Sequence, residues 1–140
     1  MRTPLKAQVL ISLAGYEVSV NKDTQKASQL VSEAVQIDPE VDTTVVNTII
    51  CHHEEGAESA LKIIESPSDI NSYNLKLGLL LELGRSEEVI SQIKDTPQNI
   101  KPNADTKRIE ALALLDLGDI DGSQTRIMQA KQEKPKWRRI

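Results

Sequence analysis

The feature that most constrains this chain is an internal echo. Leu80-Leu81-Glu82-Leu83-Gly84 returns as Leu114-Leu115-Asp116-Leu117-Gly118, displaced by 34 residues. The flanks keep step: Leu75 maps to Ile109, and Ile93 to Ile127. A five-residue near-identity with apolar flanks in register means that one structural unit is used at least twice. Within it, Leu75, Leu79, Leu80 and Leu83 recur at spacings of three and four, which is helix periodicity. Gly84 closes the helix because it adopts the left-handed conformation of a C-terminus. Ser86 reads as the next N-cap, with Glu87 and Glu88 in the first turn, where the helix dipole favours anions. Val89, Ile90 and Ile93 then supply the stripe of a second, short helix that Pro97 prevents from continuing. The second copy reads alike: a helix near Ala104 to Leu117, a Gly118-Asp119 turn, and a helix from about Ile120 to Glu133 stopped by Pro135.

The first half follows the same layout. Leu5 to Val20 is an apolar-rich helix and Asn21-Lys22-Asp23 a turn. Thr24 to Gln36 carries Ala27, Leu30, Val31, Ala34 and Val35 at helical spacing, and Pro39 ends the unit. The run Thr43–Ile50 is β-branched enough to suit a strand. It is assigned to a helix over Asp42 to His53, because Glu54-Glu55-Gly56 and then Ala57 to Glu65 repeat the helix–turn–helix layout. Ser66 to Asp69 and Thr96 to Asn103 are connecting loops. The expectation is an all-α single domain of eight helices in four hairpins, over roughly 5–39, 42–67, 70–97 and 104–135, with a basic tail at 136–140. No hairpin of this length buries its stripe alone, so stacking on a neighbour makes the core.

Composition removes several function classes. With 140 residues, 39% hydrophobic and 27% charged, the chain has the means to build a core. No run approaches the roughly 18 apolar residues of a membrane span. A net charge of −4 argues against gripping nucleic acid with the whole surface. Tyr16, Tyr73 and Trp137 are the only Phe, Tyr or Trp residues, so a base-stacking platform has almost no raw material. Cys51 is the sole cysteine, which excludes an intrachain disulfide, and no Asn-x-Ser/Thr acceptor occurs. Lys6, Gln8 and Ser12 interrupt the apolar stretch Leu5 to Leu13, against a signal peptide. A cytoplasmic location is expected.

A 34-residue helix–turn–helix unit resembles the tetratricopeptide repeat. The first unit matches through Ile11, Ala14-Gly15, Val18, Ala27, Val31 and Pro39. The third matches through Leu77-Gly78, Leu81, Val89 and Ile93, with its proline early at Pro97. The fourth matches at Leu114, Ile127 and Pro135 but departs at Lys107 and Glu110. The second keeps Cys51, Ala60 and Ile64 and is several residues short. The resemblance covers about Gln8 to Pro135, with Ile, Val and Leu where the family has bulky aromatics.

That resemblance implies a right-handed superhelix of about four stacked antiparallel hairpins, an α-solenoid. It implies a non-catalytic scaffold that binds a protein or peptide segment on its concave face. The family's carboxylate clamp looks absent, since Leu13, Val46, Lys76 and Ile109 stand in its places. The implied contacts are Leu13, Tyr16, Val46, Ile49, Lys76, Leu79, Arg108, Ile109 and Leu112, a surface for an apolar or helical ligand. Glu54, Glu82 and Asp116 each lie two residues before a turn glycine and would align as an acidic rail in stacked hairpins; solubilising charge near helix ends accounts for the same residues.

Motifs of catalysis are missing. His52 and His53 are adjacent, about 100° apart on a helix, so they do not share one zinc face. Cys51, His52 and Glu55 share a face and give three ligands at best; a polar helix end is the simpler reading. Asp119-Ile120-Asp121-Gly122 lacks the acid at Leu117 and the Glu at Met128 that a calcium loop needs. No phosphate-binding glycine loop and no Gly-x-Ser-x-Gly occurs. The expectation is no catalytic residue, no cofactor and no metal. The basic run Lys131, Lys134, Lys136, Arg138 and Arg139 around Trp137 suits an acidic partner or a solvated chain end; nucleic acid is a remote third reading. The alternative to a scaffold is the repeat segment of a larger enzyme or regulatory protein, serving in dimerisation, including a homo-oligomer, or in substrate docking.

Overall fold

A computed structural model describes residues 3–133, and every regular element among them is an α-helix. In chain order these are α1 (Thr3–Ser19), α2 (Thr24–Ile37), α3 (Thr44–Glu55), α4 (Ala57–Ile63), α5 (Ile70–Glu82), α6 (Ser86–Lys94), α7 (Ala104–Asp116) and α8 (Ile120–Gln132). Two compact units divide the chain, one ending at Glu65 and the other beginning at Ser66.

The 34-residue period is written into the ends of α5 and α7. Both helices have 13 residues, and their boundaries are displaced by 34 at each end. At the start, Asp69 accepts from the Ser72 N–H (2.8 Å) and Ser72 Oγ accepts from the Asp69 N–H. Asn103 and Thr106 make the same reciprocal box 34 residues on, with Thr106 N–H donating to Asn103 Oδ1 at 3.1 Å. Each box satisfies orphan donors of a helix N-terminus. The hydrogen bonds from Ser72 hold the Asp69 carboxyl below its ordinary 3.8. That cap is therefore at full strength above the ordinary aspartate range and is lost only as pH falls through the lower folded value.

The C-termini match too. Gly84 N–H donates to the Leu81 carbonyl (3.0 Å) and Arg85 N–H to Leu80 (2.9 Å); Gly118 and Asp119 do the same to Leu115 (3.0 Å) and Leu114 (2.8 Å). These paired bonds form a Schellman motif, which needs a left-handed residue. Gly84 at φ +76° and Gly118 at φ +87° supply it.

Packing within each unit repeats one scheme. In the first, α1 pairs with α2 and α3 with α4, while α3 lies against both α1 and α2. In the second, α5 pairs with α6 and α7 with α8, while α7 lies against both α5 and α6. The core of the first unit holds Ala14, Val18, Ala27, Val31, Val46 and Ile50, flanked by Ile11, Leu30 and Ile49. This decides the β-branched run. Val46, Ile49 and Ile50 share one helical face that closes on the first hairpin, and Thr48, fully buried, donates back to the Thr44 carbonyl at 2.7 Å. Tertiary burial overrides the local strand preference.

Several boundaries differ from expectation. Glu54 and Glu55 belong to α3, leaving Gly56 (φ +97°) as the whole junction to α4, which stops at Ile63 rather than Glu65. Ser86 is not an N-cap: Arg85 holds that position with no side-chain bond to the helix's first-turn N–H groups, and Ser86 is the first residue of α6. Its hydroxyl donates instead to Asp116 Oδ2 at 2.6 Å, joining the start of α6 to the end of α7. Asp119 caps α8 by accepting from Gly122 N–H (2.9 Å).

The two polar departures in the fourth unit have structural partners. Lys107 occupies the position equivalent to Tyr73. The Tyr73 hydroxyl donates to the Gln92 carbonyl (2.9 Å), tying α5 to the far end of α6. Lys107 pairs with Glu133, tying α7 to the far end of α8. Glu110 accepts from Arg126 Nε at 2.8 Å. The apolar residues fully buried on α7 and α8 are alanines, Ala111, Ala113 and Ala130, which bury little area each. Partly exposed ion pairs contribute up to about 1 kcal/mol apiece, a useful supplement where the apolar contribution is small.

Substitution at the glycines separates their roles. Gly84→Ala and Gly118→Ala each force a side chain into the left-handed region and are expected to cost about 1 kcal/mol, with similar values at the two equivalent sites. Gly78→Ala, inside α5 with nothing within 4 Å of the added Cβ, is expected to stabilise by up to about 1 kcal/mol. Denaturant unfolding of the three variants measures this.

Candidate functional site

The expected contact residues divide sharply by helix. On α1, Leu13 and Tyr16 are 48% and 55% exposed and sit one turn apart on one face. On α7, Arg108 and Leu112 are exposed at the same kind of spacing, with Ile109 half-buried beside them. Arg108 Nη1 reaches Asp105 Oδ1 at 2.8 Å. On α3 and α5 the expectation fails in part. Val46 is buried in the first unit's core and Leu79 is equally buried, so neither offers its side chain to a ligand. Ile49 and Lys76 are half-buried. The register assumed for α3 is one position off, since the exposed neighbour of Val46 is Asn47.

The acidic residues also separate. Glu54 and Glu82 are exposed near the ends of α3 and α5. Asp116 is exposed overall, yet its carboxylate receives the Ser86 hydroxyl and so acts as a clasp between α6 and α7. An open depression of about 350 Å³ adjoins it, lined by Gly84, Arg85, Ser86, Glu87, Glu88 and Leu117. Its mixed charges and open mouth give it no means of enclosing a small substrate.

A buried polar cluster joins α5 to the start of α7. Asn74 Nδ2 donates to Asn103 Oδ1 (3.0 Å), and the Thr106 hydroxyl donates to Asn74 Oδ1 (2.6 Å). Thr106 is 1% exposed, and no buried side-chain polar atom among the described residues lacks a partner. A fully satisfied network of amides and hydroxyls, with no acid, base or nucleophile, fixes the register of neighbouring hairpins rather than moving protons.

Cys51 is the one thiol, and its surroundings make it a poor nucleophile. Its Sγ lies 3.2 Å from Glu55 Oε2. Burial pushes the thiol up from its ordinary 9.0, and the carboxylates of Glu55 and Glu54 push it the same way. Reactive cysteines need the opposite environment. His52 and His53 stack edge to face 5.9 Å apart as sequential neighbours. Among the described residues no group of three or more His, Cys, Asp or Glu is arranged to hold a metal ion. Nor is any helix long and apolar enough to cross a membrane. Lys134 and the basic tail at 136–140 lie outside the described residues.

One surface escaped the sequence reading. Leu5, Val9 and Val20 are exposed together with Leu13 and Tyr16, an apolar stripe along α1. The signal was present: α1 has apolar residues on two opposite arcs of its wheel, where an amphipathic surface helix has one.

No protein-family model, curated protein or solved structure matches the chain.

The thiol gives a direct check on this electrostatic picture. Alkylation of Cys51 by iodoacetamide is expected to run several-fold slower than that of free cysteine at pH 7.5, with a midpoint above that of free cysteine, and to accelerate in Glu55→Gln. A midpoint at or below that of free cysteine contradicts it.

Proposed function

We propose that the chain is a non-catalytic protein–protein interaction module. In this reading it is a divergent tetratricopeptide-like solenoid of four hairpins whose first helices present a surface to a partner segment. The observation that carries it is the set of exposed apolar side chains on the first helices of the first and fourth hairpins: Leu13 and Tyr16 on α1, and Leu112 beside Arg108 and Ile109 on α7. Folded proteins expose large apolar side chains singly as a matter of course, but aligned sets on one helix face mark interaction sites. The cores beneath them are built from paired hairpins, which gives such faces a rigid backing. The polar clusters serve hairpin register and supply no acid–base pair or activated nucleophile, which favours binding over turnover. A single thiol and the absence of a glycosylation sequon fit a reducing, cytoplasmic setting.

Selection of random 15-residue peptides displayed on phage against the full chain tests the proposal. The expected winners carry apolar side chains at helical or alternate spacing. Leu112→Glu is expected to weaken them at least tenfold, while Gln29→Glu on the polar outer side of α2 leaves them unchanged. Failure to select any peptide, together with measurable turnover of a metabolite by the purified chain, contradicts it.

A further inference from the structure

Helix α1 has two apolar faces. On one, Ala7, Ala14 and Val18 are fully buried. On the other, Leu5, Val9, Leu13, Tyr16 and Val20 are 52%, 42%, 48%, 55% and 58% exposed. At 3.6 residues per turn these five fall within an arc of roughly 80°, centred about 180° from the buried one. Val20 continues the last turn, its N–H donating to the Tyr16 carbonyl at 2.8 Å. Between Thr3 and Ser19 the only charged residues are Lys6 and Glu17. Glu17 is engaged at its own end of the helix by Asn21 (3.0 Å) and Lys26 (3.6 Å). Polar residues belong opposite the buried face of a surface helix. Here leucine, valine and tyrosine stand there.

We infer that this face pairs with the same face of a second copy of the chain, α1 against α1, antiparallel about a two-fold axis between Ser12 and Leu13. The pairing names the partner at the α1 end of the proposed interaction module and leaves α7 for a peptide. Three features select a second copy. Four of the five stripe residues are symmetric in spacing: reversal about the axis sets Leu5 against Val20 and Val9 against Tyr16, with Leu13 packing beside Ser12 at the axis, the self-complementarity that an isologous contact requires. The charges then agree. Lys6 comes opposite Ser19 of the second copy, over the C-terminal end of its α1, where the helix carbonyls favour a cation. The size is adequate as well. Five side chains of ordinary area, exposed to about half, offer on the order of 400 Å² per copy. Lys6, Gln8, Ser12 and Ser19 along the rim bring the pair to about 1,000–1,200 Å², the lower end for a specific interface.

Sedimentation equilibrium of the full chain tests the association, with cysteine cross-linking to test its geometry. The mass of two chains is expected at about 100 μM. Leu13→Glu, which places a carboxylate at the axis, is expected to raise the dimer dissociation constant at least tenfold, while Leu112→Glu leaves it unchanged. In a Cys51→Ser background, a mixture of Val9→Cys and Tyr16→Cys chains is expected to oxidise to a disulfide-linked pair faster than Val9→Cys alone. A monomer at about 100 μM overturns the inference. So does a dimer indifferent to Leu13→Glu, or one in which Val9→Cys alone cross-links as fast as the mixture. A monomer that still holds a selected peptide through Leu112 overturns the pairing and leaves the interaction reading standing. A dimer that selects no peptide does the reverse.

Discussion

The structure depends on one packing relation, the first helix of a hairpin lying across both helices of the hairpin before it. In the first unit α3 covers α1 and α2; in the second α7 covers α5 and α6. Helices of seven to seventeen residues are marginal alone in water, and a two-helix hairpin leaves one apolar side uncovered. The next hairpin supplies the cover. Val46 and Ile50 do this for Ala14, Val18, Ala27 and Val31, and the helix is imposed on a β-branched segment as a consequence.

Polar bonds then decide how the hairpins sit on one another within a unit. Apolar packing is forgiving of small slips, but a buried amide or hydroxyl is not, because an unmade bond costs more than a made one contributes. Asn74 bonds to both members of the Asn103–Thr106 capping box, so the device that starts α7 also locks α7 to α5. Ser86 and Asp116 do the same between α6 and α7 at the opposite end. The second unit is thereby held in register at both ends of α7. The exposed face of α7 rides on this framework.

Much of the fold was legible in the residues, and the reasons are local. Gly84 and Gly118 announce their helix ends because only glycine takes the left-handed turn cheaply, and the motif around them repeats bond for bond. Where the reading failed, the deciding partner was distant in sequence. Ser86 looks like a cap until Asp116, 30 residues away, is placed beside it. Lys107 and Glu110 look like departures until Glu133 and Arg126 arrive opposite them. Val46 and Leu79 were expected at a surface because the shortened second unit blurs the register; their burial shows which side of α3 and α5 meets the core. The second apolar face of α1 was hidden by success, since a helix rich in apolar residues satisfies a core pattern whether or not all of them are buried.

Hairpin interdependence is the claim most directly open to measurement, by comparing the circular dichroism and amide exchange of residues 103–133 alone with residues 69–133. The account predicts that the two-hairpin segment is helical, unfolds cooperatively and protects the amides of α7, whereas the single hairpin loses most of its helicity. A lone 103–133 segment as helical and as protected as it is within 69–133 would contradict it.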